Sequence, residues 1–149
     1  MGGPAYIDGK KYKEFDNFYV APFKADGQIW PTVEHAFQAS KSKDPEFKKK
    51  ILSVISPKKA WELGQAVQLR EDWETIKFYV MQDMVFRKIS QNIDLIDLLL
   101  KTKGDIVSKH SSPYWNDANS KILTICRNYY DCEAWYSDRA DMKVSKDKS

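Results

Sequence analysis

The stretch that decides the fold reads Trp30-Pro31-Thr32-Val33-Glu34-His35-Ala36-Phe37-Gln38-Ala39-Ser40-Lys41. Pro31 followed by Thr32 predicts a helix start, with the Thr32 hydroxyl capping the first free backbone amides. Positions i, i+4 and i+7 of a helix lie on one face, so Glu34, Gln38 and Lys41 should project together. A solvated polar stripe is the competing interpretation, because charged side chains mostly lie outside.

The composition of the chain fits one globular domain. Its 149 residues are 42% hydrophobic and 13% aromatic, which is enough for a substantial core. We expect a flexible lead over residues 1–13, a folded domain over residues 14–136 and a disordered tail over residues 137–149. The net charge of +3 permits an anionic partner without requiring one.

The cysteines, the histidines and the absent motifs exclude several classes of protein. Cys126 and Cys132 form no disulfide framework, and His35 and His110 lie far apart in sequence, so we expect no metal and no cofactor. No apolar run is long enough for a membrane span, and we expect an intracellular protein, cytoplasmic or nuclear, with no membrane partner. Dinucleotide-binding, P-loop, zincin and serine-hydrolase motifs are all missing.

Periodicity and turn signals predict a mainly α fold. Asp26-Gly27 should join two short extended runs, 18–20 and 28–30, into a small N-terminal β hairpin. Helices are predicted to begin at Thr32, Asp44, Ser56, Asp72, Asn92 and about Asp117, with stops at Gly64 for the third, Lys101 for the fifth and about Trp135 for the last. The nearest generic description is a helical bundle.

Two polar clusters flank the predicted helices and are candidates for ligand contact. Asn17 and Phe18 precede the hairpin, where Asn17 could bind a ligand or, alternatively, cap a local turn. Arg70 fits phosphate and Trp73 fits a base. The simpler interpretation of that second cluster makes Asp72 an N-cap and Trp73 a core anchor.

A third cluster runs from His110 to Asn119 around Trp115. It fits a polar ligand lid, and it fits equally a loop that leads into a helix. The basic run at residues 48–50 lacks interleaved aromatic residues, so it is better explained as a solvated face than as a nucleic-acid patch.

Taken together, these segments resemble the NADAR family, also called YbiA-like, over residues 15–127. The matching motifs, in chain order, are Asp16-Asn17-Phe18-Tyr19, Pro22-Phe23, Asp26-Gly27, Trp30-Pro31-Thr32-x-Glu34-His35-x-Phe37-Gln38-Ala39-x-Lys41, Ser56-Pro57, Ala60, Gly64, Arg70-x-Asp72-Trp73, Lys77, Val80-Met81, Leu98-Leu99-Leu100 and Gly104-Asp105. The chain departs from the family after His110. Many members carry Trp-Gly-x-Gly and then Asn-x-Leu-Gly where this chain reads Tyr114-Trp115-Asn116-Asp117-Ala118-Asn119.

The resemblance implies a single-domain YbiA-like helical fold and the cleavage of N-glycosidic bonds. Family members act on a ribosylamino-pyrimidine phosphate of riboflavin biosynthesis or remove ADP-ribose from modified guanine. Breaking a ribosyl C–N bond builds oxocarbenium character, which a carboxylate stabilises while it orients or deprotonates water. Glu34 would take that role. Lys41 would contact a ribose hydroxyl or phosphate, or attack the anomeric carbon if burial depresses its pKa.

The remaining site residues also follow from the resemblance. Trp73 and Trp115 would form walls for the base and ribose, and Arg70 would hold phosphate. The substrate-binding set that we carry over comprises Asn17, Phe18, Gln38, Arg70, Trp73, His110, Trp115 and Asn119. Gln38 is expected to position Glu34 rather than to react.

Three functions remain open at the level of the sequence. The preferred one is removal of ADP-ribose from ADP-ribosylated guanine, with ADP-ribosylated DNA or RNA as a partner, because the Trp115 segment departs from the form associated with riboflavin-pathway members. The second is hydrolysis of the ribosylamino-pyrimidine phosphate, and the third is an ADP-ribose-binding module without catalysis. The oligomeric state is left undetermined.

Overall fold

The computed structural model describes residues 2–132. The elements, in chain order, are β1 (Ala5–Ile7), β2 (Lys10–Tyr12), a 3-10 turn (Lys13–Phe15), β3 (Phe23–Ala25), β4 (Gln28–Trp30), α1 (Val33–Ala39), α2 (Pro45–Leu52), α3 (Pro57–Ala66), α4 (Trp73–Ser90), α5 (Ile93–Lys101), β5 (Ile106–Ser108) and α6 (Pro113–Tyr130). A mainly α domain with a small N-terminal hairpin is therefore confirmed. No helix among the described residues is long and apolar enough to cross a membrane.

The amino-terminal segment is ordered, so the expected flexible lead over residues 1–13 is wrong for the part that the structure describes. Strand β1 pairs with β2 and with β5 in a three-stranded antiparallel sheet of order β2-β1-β5. Asp8 and Gly9 form the turn with φ of 51° and 74°, the left-handed region that a two-residue hairpin requires. Ala5 and Ile7 are buried, which ties this sheet to the core.

The second hairpin forms around Asp26-Gly27 as predicted, but its first strand is β3 and not residues 18–20. A two-residue turn pairs the residues that flank it directly, so Ala25 meets Gln28 and Phe23 meets Trp30. Residues 16–19 instead form a turn in which the Tyr19 amide donates to the Asp16 carbonyl.

Local capping explains where most helices begin. The Thr32 hydroxyl accepts the His35 amide, the Asp44 carboxylate accepts the Glu46 amide, and the Ser56 hydroxyl accepts the Lys59 amide. These three helix starts are confirmed, as are those of α4 and α5. The predicted stop at Gly64 is wrong, because α3 continues to Ala66.

The last described helix begins earlier than expected, at Pro113 rather than near Asp117. The Ser112 hydroxyl accepts the Trp115 amide, and proline at the first helical position suits its fixed φ. Residues 113–119 are therefore the first two turns of α6 and not a lid loop. The expected helix end at Trp135 and the expected tail at residues 137–149 lie outside the described residues.

Helix α1 lies at the centre of the domain. All seven of its residues are buried, and it packs against α2, α3, α4 and β4. His35 is satisfied inside this core, with Nδ1 2.7 Å from the Thr32 hydroxyl and Nε2 2.9 Å from the Val54 carbonyl oxygen. Burial lowers the pKa of His35, so this imidazole is a neutral structural link between α1 and the segment after α2.

Candidate active site

The polar face of α1 is enclosed by protein. Glu34 and Gln38 are 0% exposed, and Lys41, just beyond the C-cap Ser40, is 9% exposed. The Gln38 side-chain amide donates from Nε2 to Glu34 Oε1 at 2.7 Å. The shared face predicted from helical spacing is therefore confirmed for this pair, whereas a solvated stripe is excluded.

Lys41 brings a partly desolvated amine to the same region. Burial lowers the pKa of Lys41, and the nearby negative charge of Glu34 raises it by a smaller amount. The amine donates to the Gly64 carbonyl oxygen at 3.4 Å, which links the end of α1 to α3. A carboxylate and an amine thus interact in surroundings where water screens them weakly.

The turn at residues 16–19 joins Glu34 to α4 and α6. The Asn17 carbonyl accepts the Glu34 backbone amide at 3.0 Å. Its side-chain Nδ2 donates to Asn119 Oδ1 at 3.3 Å and lies 3.4 Å from Met81 Sδ. Two predicted site residues that are about a hundred positions apart in the chain, Asn17 and Asn119, are thus brought into contact beside α1.

The two predicted tryptophan walls flank Phe37 rather than an open cleft. The Phe37 ring centroid lies 5.1 Å from that of Trp73 and 5.0 Å from that of Trp115. Both indoles are buried, so the simpler interpretation of Trp73 as a core anchor describes its position. Edge-to-face and tilted aromatic contacts of this kind stabilise the helix that carries Glu34.

Arg70 lies beside Lys41, because its backbone amide donates to the Lys41 carbonyl at 2.8 Å. Its guanidinium makes two hydrogen bonds to Asp72, one of them from Nη2 to Oδ2 at 3.1 Å. This pairing lowers the pKa of Asp72. Asp72 occupies the N-cap position of α4, as predicted. Its side chain makes no capping hydrogen bond, so the expected capping interaction is absent.

An open groove of about 580 Å³ adjoins the end of α1. Its wall includes Ser40 and Ser42, the neighbours of Lys41, together with Lys43 and Arg70, and its floor includes apolar residues of α4. Glu34 does not line this groove. The carboxylate therefore lies beneath the surface, behind the segment that carries Lys41.

Two predicted residues lie elsewhere. His110 is exposed, has a φ of 73°, and its Nε2 is 3.3 Å from the Tyr6 hydroxyl. The Phe18 ring packs against Gly2, where a Cβ would lie 2.5 Å from Cδ1. Both contacts are with the amino-terminal segment.

Sequence patterns did not indicate the contact between Gly64 and this face. A glycine inside a continuing helical pattern indicates close backbone approach rather than a stop, and that signal was available at Gly64. Among the described residues, no group of three or more His, Cys, Asp or Glu side chains is placed to hold a metal ion.

Comparison with known proteins extends over most of the chain. Residues 6–122 match the family described as NADAR domain. N-glycosidase YbiA from Escherichia coli (strain K12) is 37% identical over 116 residues, which are 75% of this chain and 72% of that protein. Riboflavin biosynthesis protein VVA0006 from Vibrio vulnificus (strain YJ016) is 33% identical over 105 residues, which are 68% of this chain and 29% of that protein.

The fold agrees with a solved structure. The NMR structure of the E. coli protein YbiA matches with a TM-score of 0.72 at 32% identity, covering 83% of this chain and 81% of that one. The expected YbiA-like fold is thereby confirmed.

Proposed function

The chain belongs to the NADAR domain family and is a hydrolase of N-glycosyl bonds, and we propose that it removes ADP-ribose from ADP-ribosylated guanine in nucleic acid. The observation that carries the chemistry is the buried carboxylate of Glu34, held by the Gln38 amide and close to the Lys41 amine.

Glu34 is proposed to act at the anomeric carbon. As the bond from ribose to the base nitrogen lengthens, positive charge builds on the ribosyl ring, and a nearby carboxylate stabilises it. The same carboxylate can take a proton from the attacking water. Donation from Gln38 Nε2 to Oε1 orients the carboxylate.

Lys41 has two possible roles, and its surroundings favour one of them. A nucleophile at the anomeric carbon must be the neutral amine, and burial lowers the pKa of Lys41 in that direction. In this role the new bond from Lys41 to the anomeric carbon replaces the bond to the base, which leaves, and the water that Glu34 deprotonates then cleaves the ribosyl–lysine bond and regenerates the amine. In its charged form the same side chain would instead bind a ribose hydroxyl or a phosphate.

A substrate is proposed to reach Glu34 from the groove beside Lys41. Because Glu34 has no exposed surface, the segment around Lys41 must move when substrate binds. Arg70, tethered to the Lys41 carbonyl, is suited to hold a phosphate at the mouth. Asn17, Asn119, Trp73 and Trp115 would support the site from behind.

The size of the groove favours ADP-ribose over a smaller substrate. Its volume of about 580 Å³ extends beyond what a single ribosyl group fills. Its wall carries three cationic side chains that suit a diphosphate, those of Lys43, Lys48 and Arg70, but it also carries the carboxylates of Asp26, Asp44 and Asp83, so the preference for ADP-ribose rests on size. The departure of the Trp115 segment from the usual family form also fits an altered substrate.

Two other functions have an observation in their favour. The relative from Vibrio vulnificus is named a riboflavin biosynthesis protein, which favours the ribosylamino-pyrimidine phosphate. The missing glycines near Trp115 favour an ADP-ribose-binding module that does not hydrolyse.

A two-substrate assay tests the proposal. The protein is incubated with ADP-ribosylated guanosine in single-stranded DNA and, separately, with the ribosylamino-pyrimidine phosphate, and the release of ADP-ribose from the first and of the pyrimidine from the second is measured. We expect turnover of the first; turnover of the second alone would replace the proposed substrate, and tight binding of ADP-ribose without turnover of either would favour the binding module.

Glu34→Gln tests the catalytic role with the same assay. It should lower turnover by roughly 10²–10⁴-fold, the range for a group that transfers a proton in the transition state. Glu62→Gln, a half-exposed carboxylate on α3, is the matched control and should keep wild-type turnover. Full activity of Glu34→Gln would remove Glu34 from the mechanism.

A further inference from the structure

Gly64 lies in α3 where that helix packs on the polar face of α1. It is buried and sits inside the helix, two residues before the end at Ala66. Glycine costs about 1 kcal/mol relative to alanine at such a position, so its presence calls for a reason in the packing.

The Gln38 side chain occupies the space that a side chain at position 64 would need. A Cβ on Gly64 would lie 1.7 Å from Gln38 Oε1 and 2.6 Å from Gln38 Cδ, so no other residue fits without displacing the amide. Gln38 is fully buried, and its Oε1 has no hydrogen-bond partner. The amide is therefore held by its bond from Nε2 to Glu34 and by contact with the Gly64 backbone.

Gly64 also contacts Lys41, the other side chain for which we propose a role in the reaction. Its carbonyl oxygen accepts from Lys41 Nζ at 3.4 Å. One backbone unit of α3 thus contacts both the amide that orients Glu34 and the amine of Lys41.

We propose that Gly64 is a positioning residue of the active site: the missing side chain lets α3 hold the Gln38 amide against Glu34 while the Gly64 carbonyl anchors Lys41. This proposal rests on the proposed function for the roles of Glu34 and Lys41. An added methyl group would push the Gln38 amide away from Glu34, and a misplacement of about 1 Å in a reacting site costs on the order of 10²-fold in rate.

The variants are Gly64→Ala, Gln38→Ala and the double variant, with Gln65→Ala at the exposed neighbouring position as control. We expect Gly64→Ala to lower kcat by at least about tenfold with little change in KM. Gln38→Ala should lower kcat by a similar factor, again with little change in KM.

The double variant separates positioning from simple packing. If Gly64 acts through Gln38, adding Gly64→Ala to Gln38→Ala lowers kcat no further. Multiplied losses in the double variant, or a wild-type kcat in Gly64→Ala, would overturn the proposal.

A measurement that needs no substrate tests the positioning role of Gly64 independently of the proposed reaction. The side-chain NH₂ signals of Gln38 in a ¹H–¹⁵N spectrum should shift alike in Glu34→Gln and in Gly64→Ala, and not in Gln65→Ala. Unchanged signals in Gly64→Ala reject the positioning role whatever the activity, whereas shifted signals with full activity of Glu34→Gln retain it and reject the proposed chemistry.

Discussion

Lys41 and Lys88 are two buried amines that both donate to a backbone carbonyl, yet they stand in different surroundings. Lys41 Nζ lies 3.4 Å from the Gly64 oxygen, beside the charge of Glu34 and next to an open groove. Lys88 Nζ lies 3.0 Å from the Asp16 oxygen and 5.4 Å from the Tyr19 ring centroid. Burial lowers the pKa of both, that of Lys88 to about 7.

Lys88 has structural surroundings, whereas Lys41 is the amine to which we assign a role in the proposed reaction. Lys88 is enclosed beneath the turn at residues 16–19, and that turn is held further by Asp16 Oδ1, which accepts the amides of Gly3 and Phe18. The turn in turn presents the Asn17 carbonyl to Glu34. Lys88 therefore supports the turn that contacts Glu34, whereas Lys41 lies between Ser40 and Ser42, two residues that line the groove.

Lys88→Met should produce the largest change, and it should appear in stability. An unfolded lysine has a pKa near 10.4, so the unfolded state binds more protons between pH 7 and about 10.4, and the wild-type free energy of unfolding should rise with pH by up to about 5 kcal/mol from this group. Urea unfolding from pH 7 to 10 measures it. The variant should lose this rise and Lys101→Met, an exposed control on α5, should keep it; parallel curves for all three would contradict the burial of Lys88.

Lys41→Met should act on turnover instead. We expect a loss of roughly 10²-fold, the lower end of the range for proton-transferring groups, with no fall in melting temperature. Lys50→Met on the exposed side of α2 is the control.

The pH dependence of the wild-type enzyme distinguishes the two roles proposed for Lys41, nucleophile and charged binding group. If its neutral amine attacks the anomeric carbon, kcat/KM rises as pH increases through the lowered pKa of Lys41. A profile that falls over that interval would assign Lys41 to charge pairing with the substrate.

Thr32→Ala tests how firmly the helix that carries Glu34 is anchored. The Thr32 hydroxyl accepts the His35 amide at 3.1 Å and bonds the imidazole, so its loss should cost about 1–2 kcal/mol in urea unfolding. Ser56→Ala, a cap of 3.4 Å at an exposed helix start, should cost about 0.5 kcal/mol. Equal costs would mean that burial adds nothing to the cap of α1.

Asp72→Asn should give the smallest effect. The Arg70–Asp72 pair is partly exposed, with side chains 24% and 44% accessible, so solvent weakens the pairing and the melting temperature should change little. Release of Arg70 should lower KM for a phosphate-bearing substrate by no more than about fivefold. A higher KM would show that Asp72 orients Arg70 rather than competes with the substrate.

Helix starts were predictable because their signals are local. Thr32, Asp44 and Ser56 each place an oxygen within a few residues of the amide that it accepts. The start of α6 was misplaced because the cap at Ser112 and Pro113 was interpreted as a loop. Strand β1 was missed because it is three residues long and one of its partners, β5, follows about a hundred residues later.

The candidate site likewise contains one contact that the sequence predicted and others that it did not. The pairing of Glu34 with Gln38 follows from helical spacing, so the sequence predicted it. The contact of Asn17 with Asn119 and that of Gly64 with Gln38 join separate elements, so a local pattern can indicate close approach at Gly64 but cannot identify the partner in either contact.

The sequence by itself determined the helical character, the family and the row of Glu34, Gln38 and Lys41, because periodicity, caps and motifs are properties of neighbouring residues. Only the tertiary structure decided that this row is inside the protein. Burial depends on which surfaces cover α1, and α2, α3 and α4 come to it from later in the chain. That enclosure lowers the pKa of Lys41 and places both Gly64 contacts, because a low-dielectric interior penalises charge and close packing leaves room only for glycine.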